Sequence, residues 1–152
     1  MRKVMLFLMM DSKTRKLFLE SYFYLAWARI LKSLPFVKVA PILGESMMET
    51  SFLAADQEKR ILSSVSQSIQ VMSNYTFWES QCLVRAIAAM KMLEKRHIES
   101  TLYLGTAKGE NGEMIAHAWL RSGPYYITGA EEMDKFTVVG KFAKKNGGLT
   151  NG

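Results

Sequence analysis

Two side chains in this sequence could together carry out nucleophilic chemistry: Cys82, the only cysteine, and His117, which follows it on a later segment. Cys82 stands where an aromatic-rich stretch gives way to a long apolar pattern of helical spacing. A thiol in the first turn of a helix lies near unpaired N–H groups and the positive end of the helix dipole, which favour the thiolate. Position alone favours a plainer interpretation of Cys82, a small buried core residue.

His117 lies between two alanines in a segment that is predicted to be a strand, with Trp119 two residues further on. An imidazole there could accept the proton of a thiol and later return it to a leaving amine. The other histidine, His97, follows the basic sequence LEKR at the predicted end of a helix, where a solvated side chain is expected. One cysteine and two histidines without paired spacing predict no metal site, and the sequence indicates no cofactor.

The elements that must position these two residues can be predicted from periodicity. Ala-rich sequence with an apolar stripe predicts a helix over 82–95, with Ser80 as its N-cap. Four strands then follow, over 100–107, 114–121, 124–129 and 136–142, and Ser122–Gly123 is predicted to be the tight turn between the second and third. A helical first half followed by an antiparallel sheet predicts the α+β class.

The first half predicts two helices, over 12–34 and 56–72, joined by a short extended link. We therefore expect one compact domain made of an N-terminal helical subdomain (1–73), a catalytic core (74–145) and a flexible tail (146–152). The first helix carries a broad apolar face that is meant for the core or for a partner. Its stripe consists of Leu19, Phe23, Ala26, Ile30 and Leu34, and it is widened by Phe18, Tyr22 and Leu25.

Residues 1–45 hold eight Lys and Arg side chains against three Asp and Glu, so this part carries nearly all of the net charge of +6. Such a field suits an acidic peptide, an acidic partner or a membrane surface. No recognised nucleic-acid motif accompanies it, so we expect no nucleic-acid partner. Peripheral membrane contact stays open because a basic helix with several aromatic residues can lie in an interface. A single cysteine excludes an internal disulfide and favours a cytoplasmic location.

The segments WESQCLVRAIAAMKMLEKRHIESTLYLGTAK, IAHAWLR and YYITG resemble the leader peptidase of lasso-peptide biosynthesis. This enzyme is the stand-alone protease half of the split B protein and a small member of the transglutaminase-like cysteine protease superfamily. The resemblance covers about residues 74–142. It implies a papain-like core in which Cys82 is the nucleophile and His117 the general base. It also implies that the protein removes the leader from a ribosomally made precursor peptide.

The third member of the catalytic set is less clear from the sequence. The resembled family often has Asp twelve residues after its histidine, and this chain has Gly129 there. Since a triad needs a group that orients the imidazole, we predict Glu131 for that role. Thr128 comes next, because a two-residue turn at 122–123 would pair it with His117. A backbone carbonyl is a further alternative.

An oxyanion hole is expected from the backbone N–H of Cys82 and one further donor, for which Gln81 and Trp78 are the candidates. Either side chain could equally serve packing.

The resemblance also implies partners: the precursor peptide, a small winged-helix-like leader-recognition protein and possibly the macrocyclase. The surface predicted for the recognition protein is the first long helix, where Phe18, Tyr22 and Trp27 lie among Lys13, Arg15, Lys16 and Arg29. Two other functions stay open. An acyltransferase would use the same Cys82–His117 pair, and a non-catalytic basic helical interaction module would use neither.

Overall fold

The computed structural model of this chain describes residues 2–53, 56–76 and 81–145, and its architecture is α+β as predicted. The helices and strands follow in the order α1 (Arg2–Met9), α2 (Ser12–Lys32), α3 (Phe36–Leu43), β1 (Glu45–Ser46), α4 (Asp56–Ser73), α5 (Cys82–Lys95), β2 (Ser100–Lys108), β3 (Met114–Ser122), β4 (Tyr125–Thr128) and β5 (Thr137–Lys144), with a 3₁₀ helix (Ala130–Lys135) between the last two strands.

The five strands form one antiparallel sheet in the order β1-β5-β2-β3-β4. Because side chains alternate along a strand, the central strands β2 and β3 present two distinct faces. We call one the helix face, since its residues join the apolar core with α5; they include Leu102, Ala118, Leu120 and Phe142. We call the other the imidazole face; its residues on β2 and β3 are Tyr103, Gly105, His117, Trp119 and Arg121.

Helix α5 is the central element of the core, and its predicted bounds are confirmed. Eight of its fourteen residues are buried, which fits the run of alanines and long apolar side chains that the sequence provides. The helix ends in a Schellman motif, in which the N–H of Ile98 donates to Leu93 O at 2.9 Å and His97 adopts a left-handed φ of 59°. His97 itself is exposed, as expected.

Helices α2 and α4 pack on α5 and on each other. The face that α2 buries consists of Ser21, Leu25, Ala28 and Leu31, and Ser21 Oγ donates to Ser68 Oγ at 2.8 Å. The predicted apolar stripe lies on the opposite side, because Leu19, Phe23 and Ile30 are more than half exposed. Of the broad apolar face that we predicted, Leu25 therefore joins the core, whereas the stripe does not and its role with a partner stays a prediction.

The link between the first two predicted helices is not extended. Residues Phe36–Leu43 form helix α3, which buries Val39 and Leu43 four residues apart and places Phe36 edge-on to Phe142 of β5. Short apolar runs rich in Val and Ile do not distinguish strand from helix by periodicity, which explains the error. The two residues of β1, inside the predicted helical subdomain, pair with the end of β5 and complete the sheet.

The β3–β4 hairpin also differs from the prediction. Ser122 pairs with Tyr125, so the turn residues are Gly123 and Pro124 rather than Ser122 and Gly123. Gly123 has a positive φ of 56°, which a glycine at the first position of a tight hairpin turn readily adopts. A bulge then shifts the register between Leu120 and Arg121, so Thr128 pairs with Leu120 and not with His117. Nothing in the sequence marked this bulge.

Candidate active site

Cys82 is the first residue of α5, and its side chain is half-buried against the apolar core. Gln81 occupies the N-cap position in extended conformation, and its side chain does not cap the helix. Instead its Oε1 accepts a hydrogen bond from Lys32 Nζ at the end of α2. Two residues that the sequence suggested here, Ser80 as N-cap and Trp78 as oxyanion donor, lie outside the described residues.

The N-terminal position of Cys82 matters for its chemistry. The first N–H groups of an α-helix have no partner within the helix, and they converge at its start. An oxyanion that forms beside Cys82 would meet these donors and the positive end of the helix dipole. This geometry supports a role for the Cys82 N–H, whereas Gln81 contributes only if its amide nitrogen turns towards the same point.

His117 lies on the imidazole face of β3, and three contacts hold its ring. The ring stacks on Trp119, with centroids 5.7 Å apart, and lies tilted beside Phe136, with centroids 5.0 Å apart. Its Nε2 makes a hydrogen bond of 2.7 Å with the backbone oxygen of Gly129. Gly105, directly opposite on β2, leaves room for this packing, because a Cβ there would lie within 2.9 Å of both Trp119 and Phe136.

The bond to Gly129 determines the tautomer of His117. A backbone carbonyl can only accept, so Nε2 must carry the hydrogen and donate it. In the neutral ring Nδ1 is then unprotonated and free to accept a proton. No hydrogen bond among the described residues engages Nδ1. The arrangement is therefore that of a general base whose second nitrogen is held by an orienting acceptor.

Glycine is required at position 129 for two reasons. Its φ is 74°, in the left-handed region, and a Cβ there would lie 2.6 Å from the backbone oxygen of Ala118 and 3.2 Å from His117 Nε2. The resembled family often has Asp at this position, and here the backbone of Gly129 itself supplies the acceptor.

The two side chains that we predicted as orienting groups occupy other positions. Thr128 pairs with Leu120, and its buried Oγ1 has no hydrogen-bond partner among the described residues. Glu131 is exposed in the first turn of the 3₁₀ helix, and no hydrogen bond among the described residues joins it to His117. Its predicted role as the orienting group is not what this geometry provides, because the carbonyl of Gly129 already occupies Nε2.

A hydrogen-bond network centred on Arg121 lies on the same face of the sheet as His117, and it was not predicted from the sequence. This guanidinium is 1% exposed and donates to the backbone oxygens of Thr50 (2.9 Å), Ser51 (3.1 Å) and Gly123 (2.8 Å). Its Nε donates to the hydroxyl of Tyr103 at 3.0 Å. Arg121 thereby ties the segment that follows β1 to the imidazole face.

Tyr103 connects this network to His117 through Trp119. Its ring stacks on Trp119 with centroids 5.6 Å apart, and its hydroxyl donates to Glu49 Oε1 at 2.7 Å. Burial of the hydroxyl is the largest cause that raises the pKa of Tyr103 to about 12, and Arg121 opposes the rise. Alternation along β3 places residues 117, 119 and 121 on one face. The pattern HAWLR was therefore the feature of the sequence from which this stack could have been predicted.

The structure brings α5 and β3 into contact. It does not join the two catalytic candidates by a hydrogen bond: within the described residues, the Sγ of Cys82 and the ring of His117 are not so paired. Cys82 packs with the helix-face core, whereas His117 lies on the imidazole face beside Trp119. Catalytic hydrogen bonds are often long in structures without substrate and tighten when substrate binds.

A polar cavity of about 140 Å³ opens beside Gly129. Its lining includes Arg85, one turn after Cys82 on α5, together with Gln70 of α4 and Glu131. The cavity therefore lies next to the residue whose carbonyl accepts from His117.

Comparison with known proteins agrees with this architecture. No curated protein and no solved structure matches the chain. A family model described as the transglutaminase-like superfamily matches residues 23–141, which extends past the predicted catalytic core to include α3, α4 and the C-terminal part of α2. With helix α5, which begins at Cys82, packed on an antiparallel sheet that carries His117, this chain belongs to the transglutaminase-like superfamily.

Proposed function

We propose that the protein is a cysteine protease that removes the leader peptide from a ribosomally synthesised lasso-peptide precursor. The observation that carries the proposal is the hydrogen bond from His117 Nε2 to Gly129 O, since it leaves Nδ1 as a base. The position of Cys82 at the start of α5 supports its role as nucleophile. Membership of the superfamily supports cysteine chemistry, and the resemblance of the QCLVRA and AHAWL segments supports the leader as substrate.

In the proposed reaction, His117 Nδ1 takes the thiol proton and the Cys82 thiolate attacks the scissile carbonyl. The oxyanion is stabilised by the Cys82 N–H at the start of the helix. The imidazolium returns its proton to the leaving amine, which departs as the core peptide and leaves the leader as a thioester on Cys82. Water then attacks the thioester, with His117 as base, and releases the leader.

Gly129 O accepts from Nε2 in every protonation state of this cycle. A carbonyl dipole stabilises the imidazolium less than a carboxylate would, because it carries only a partial charge. No hydrogen bond joins Cys82 to His117 among the described residues. We therefore expect that substrate binding must bring the two side chains within hydrogen-bond reach before the reaction can proceed.

We further propose that a leader-recognition protein delivers the precursor. The exposed stripe of α2 supports this, because Leu19, Phe23 and Ile30 are 55%, 67% and 64% exposed and Arg29 lies beside them. This stripe replaces part of the surface that we predicted from the sequence. Phe18 lines a groove with α1 and α4, and Trp27 packs against the core. A macrocyclase that accepts the core peptide would act afterwards.

The same Cys82–His117 pair would serve an acyltransferase, because the fate of the thioester depends on which nucleophile reaches it. The test is product analysis by mass spectrometry, with a precursor peptide, the recognition protein and an added primary amine. Leader released with a free carboxylate supports the peptidase, and leader amide supports transfer.

Cleavage of the precursor should be slow without the recognition protein. In its presence, the cleavage rate of the Phe23→Glu variant should be lower than that of the unmodified chain. Full-rate, site-specific cleavage by this chain alone would contradict the delivery step. Leu53→Glu serves as the control, since Leu53 is 86% exposed and belongs to the segment between β1 and α4.

A further inference from the structure

Helix α1 has an outer face made of apolar side chains. Met5, Leu8 and Met9 are 62%, 60% and 79% exposed, and none of the eight residues of α1 is buried. Phe7, on the inner side of the helix, and Met10, just after its end, line an apolar groove with residues of α2 and α4. Helix α1 is therefore apolar on both sides. Its inner side packs towards α2 and α4, whereas no described residue covers its outer side.

The charges around α1 are positive. Arg2 and Lys3 lie in its first turn and are exposed, and Lys13 and Lys16 follow in the first turns of α2. Lys3 Nζ lies 5.1 Å from the ring centroid of Tyr75, and no ion pair among the described residues engages these four side chains. Asp11, the one acid in this stretch, caps α2 by accepting from Thr14.

We propose that α1 inserts its outer face into the interface of an anionic lipid bilayer. The strength of interfacial binding depends on the apolar area that is buried and on the attraction of basic residues to anionic lipids, and α1 with its neighbouring lysines and arginine offers both. Each Lys or Arg near an anionic surface contributes roughly fivefold to binding. A groove in a partner protein would contact only one side of α1. An anionic bilayer accommodates both groups, with the outer apolar side chains in the acyl layer and the surrounding cations among the headgroups.

The contact is peripheral, because no helix in residues 2–53, 56–76 and 81–145 is long and apolar enough to cross a membrane. It is also independent of the proposed peptidase activity, since α1 contributes neither Cys82 nor His117 and lies outside the residues that match the family.

The test is co-sedimentation of the full chain with vesicles of phosphatidylcholine alone and of phosphatidylcholine mixed with phosphatidylglycerol. We expect binding to the mixed vesicles, about tenfold or more weaker binding to the neutral ones, and a loss of binding as salt rises. The variant Met5→Glu/Leu8→Glu should reduce binding about tenfold or more, and Leu53→Glu should not, although Leu53 is equally apolar and more exposed.

Three results would overturn the inference: no binding to the mixed vesicles, equal binding to neutral vesicles, or unchanged binding by the α1 variant. Size-exclusion chromatography of the same proteins supplies a further arm. If the unmodified chain self-associates through α1 and ignores vesicles, the outer face contacts a second copy instead. Circular dichroism should show that the variants fold, as expected for residues that the fold does not bury.

Discussion

The two faces of the sheet are built from different chemistry. On the helix face, Leu102, Ala118 and Leu120 pack with α5 in one apolar cluster. On the imidazole face, a buried arginine, a tyrosine, a tryptophan and a histidine stack in sequence, and each is fixed by a hydrogen bond or a ring contact. Apolar packing tolerates small shifts, whereas directional contacts fix the position of a side chain. We infer that the helix face stabilises the fold and the imidazole face positions His117.

The largest effect on stability is expected at Arg121. Arg121→Met removes a buried guanidinium that donates to three backbone oxygens and two hydroxyls, which leaves these largely buried acceptors without that donor. We expect the free energy of unfolding in urea to fall by about 1–3 kcal/mol for each buried acceptor left without a partner. Arg29→Met, at an exposed position of α2, should change it by less than about 0.5 kcal/mol. An Arg121→Met protein as stable as the unmodified chain would show that the network is dispensable.

One substitution on each face tests whether the helix face and the imidazole face have separate roles. Leu102→Ala should lower the free energy of unfolding by about 2–5 kcal/mol through the cavity it leaves, with kcat of the folded fraction unchanged. Trp119→Leu removes the ring on which His117 stacks, and we expect kcat to fall by about tenfold to a hundredfold with a smaller change in KM. If both variants lose kcat equally, the two faces do not have separate roles.

A comparison of alanine variants at two left-handed glycines distinguishes the effect of backbone strain from the effect of site geometry. Gly129→Ala and Gly112→Ala both place a Cβ on a left-handed residue, at a cost of about 1–3 kcal/mol in stability each. Only position 129 is crowded, since nothing lies within 4 Å of a Cβ at Gly112. Leader cleavage assays should therefore show reduced kcat for Gly129→Ala alone. Equal activities would remove Gly129 from the catalytic account.

The smallest effect is expected at His97, the histidine that the account leaves outside catalysis. It adopts a left-handed φ of 59° after α5, where glycine is the favoured residue. His97→Gly should raise the free energy of unfolding by up to about 1 kcal/mol and leave cleavage unchanged. Reduced cleavage by this variant would indicate that His97 contributes to the reaction.

The sequence predicted the parts of the fold in which local pattern and tertiary packing agree. Helices α4 and α5 and strands β2, β3, β4 and β5 lie at or within about two residues of the predicted bounds, because each carries a sustained period and clear turn signals. The elements that carry Cys82 and His117 were predicted correctly, and the catalytic roles of these two residues stay predictions.

What could not be predicted depended on register and on backbone geometry. The bulge after Leu120 moves Thr128 away from His117, and a left-handed Gly129 supplies a carbonyl where a side chain was expected. Both depend on how three segments meet at one edge of the sheet. The stripe of α2 illustrates a different gap: Leu19 and Phe23 have helical spacing, which does not say whether the core or a partner covers them.

The central claim, that Cys82 reacts and His117 activates it, is tested most directly by cleavage of a precursor peptide in the presence of the recognition protein. The rate would be measured for the unmodified chain, Cys82→Ala, His117→Ala and the double variant. We expect His117→Ala to lose about 10²–10⁴-fold and Cys82→Ala to lose all detectable cleavage, while the double variant is no worse than Cys82→Ala. Near-normal turnover by a folded Cys82→Ala protein would contradict the account.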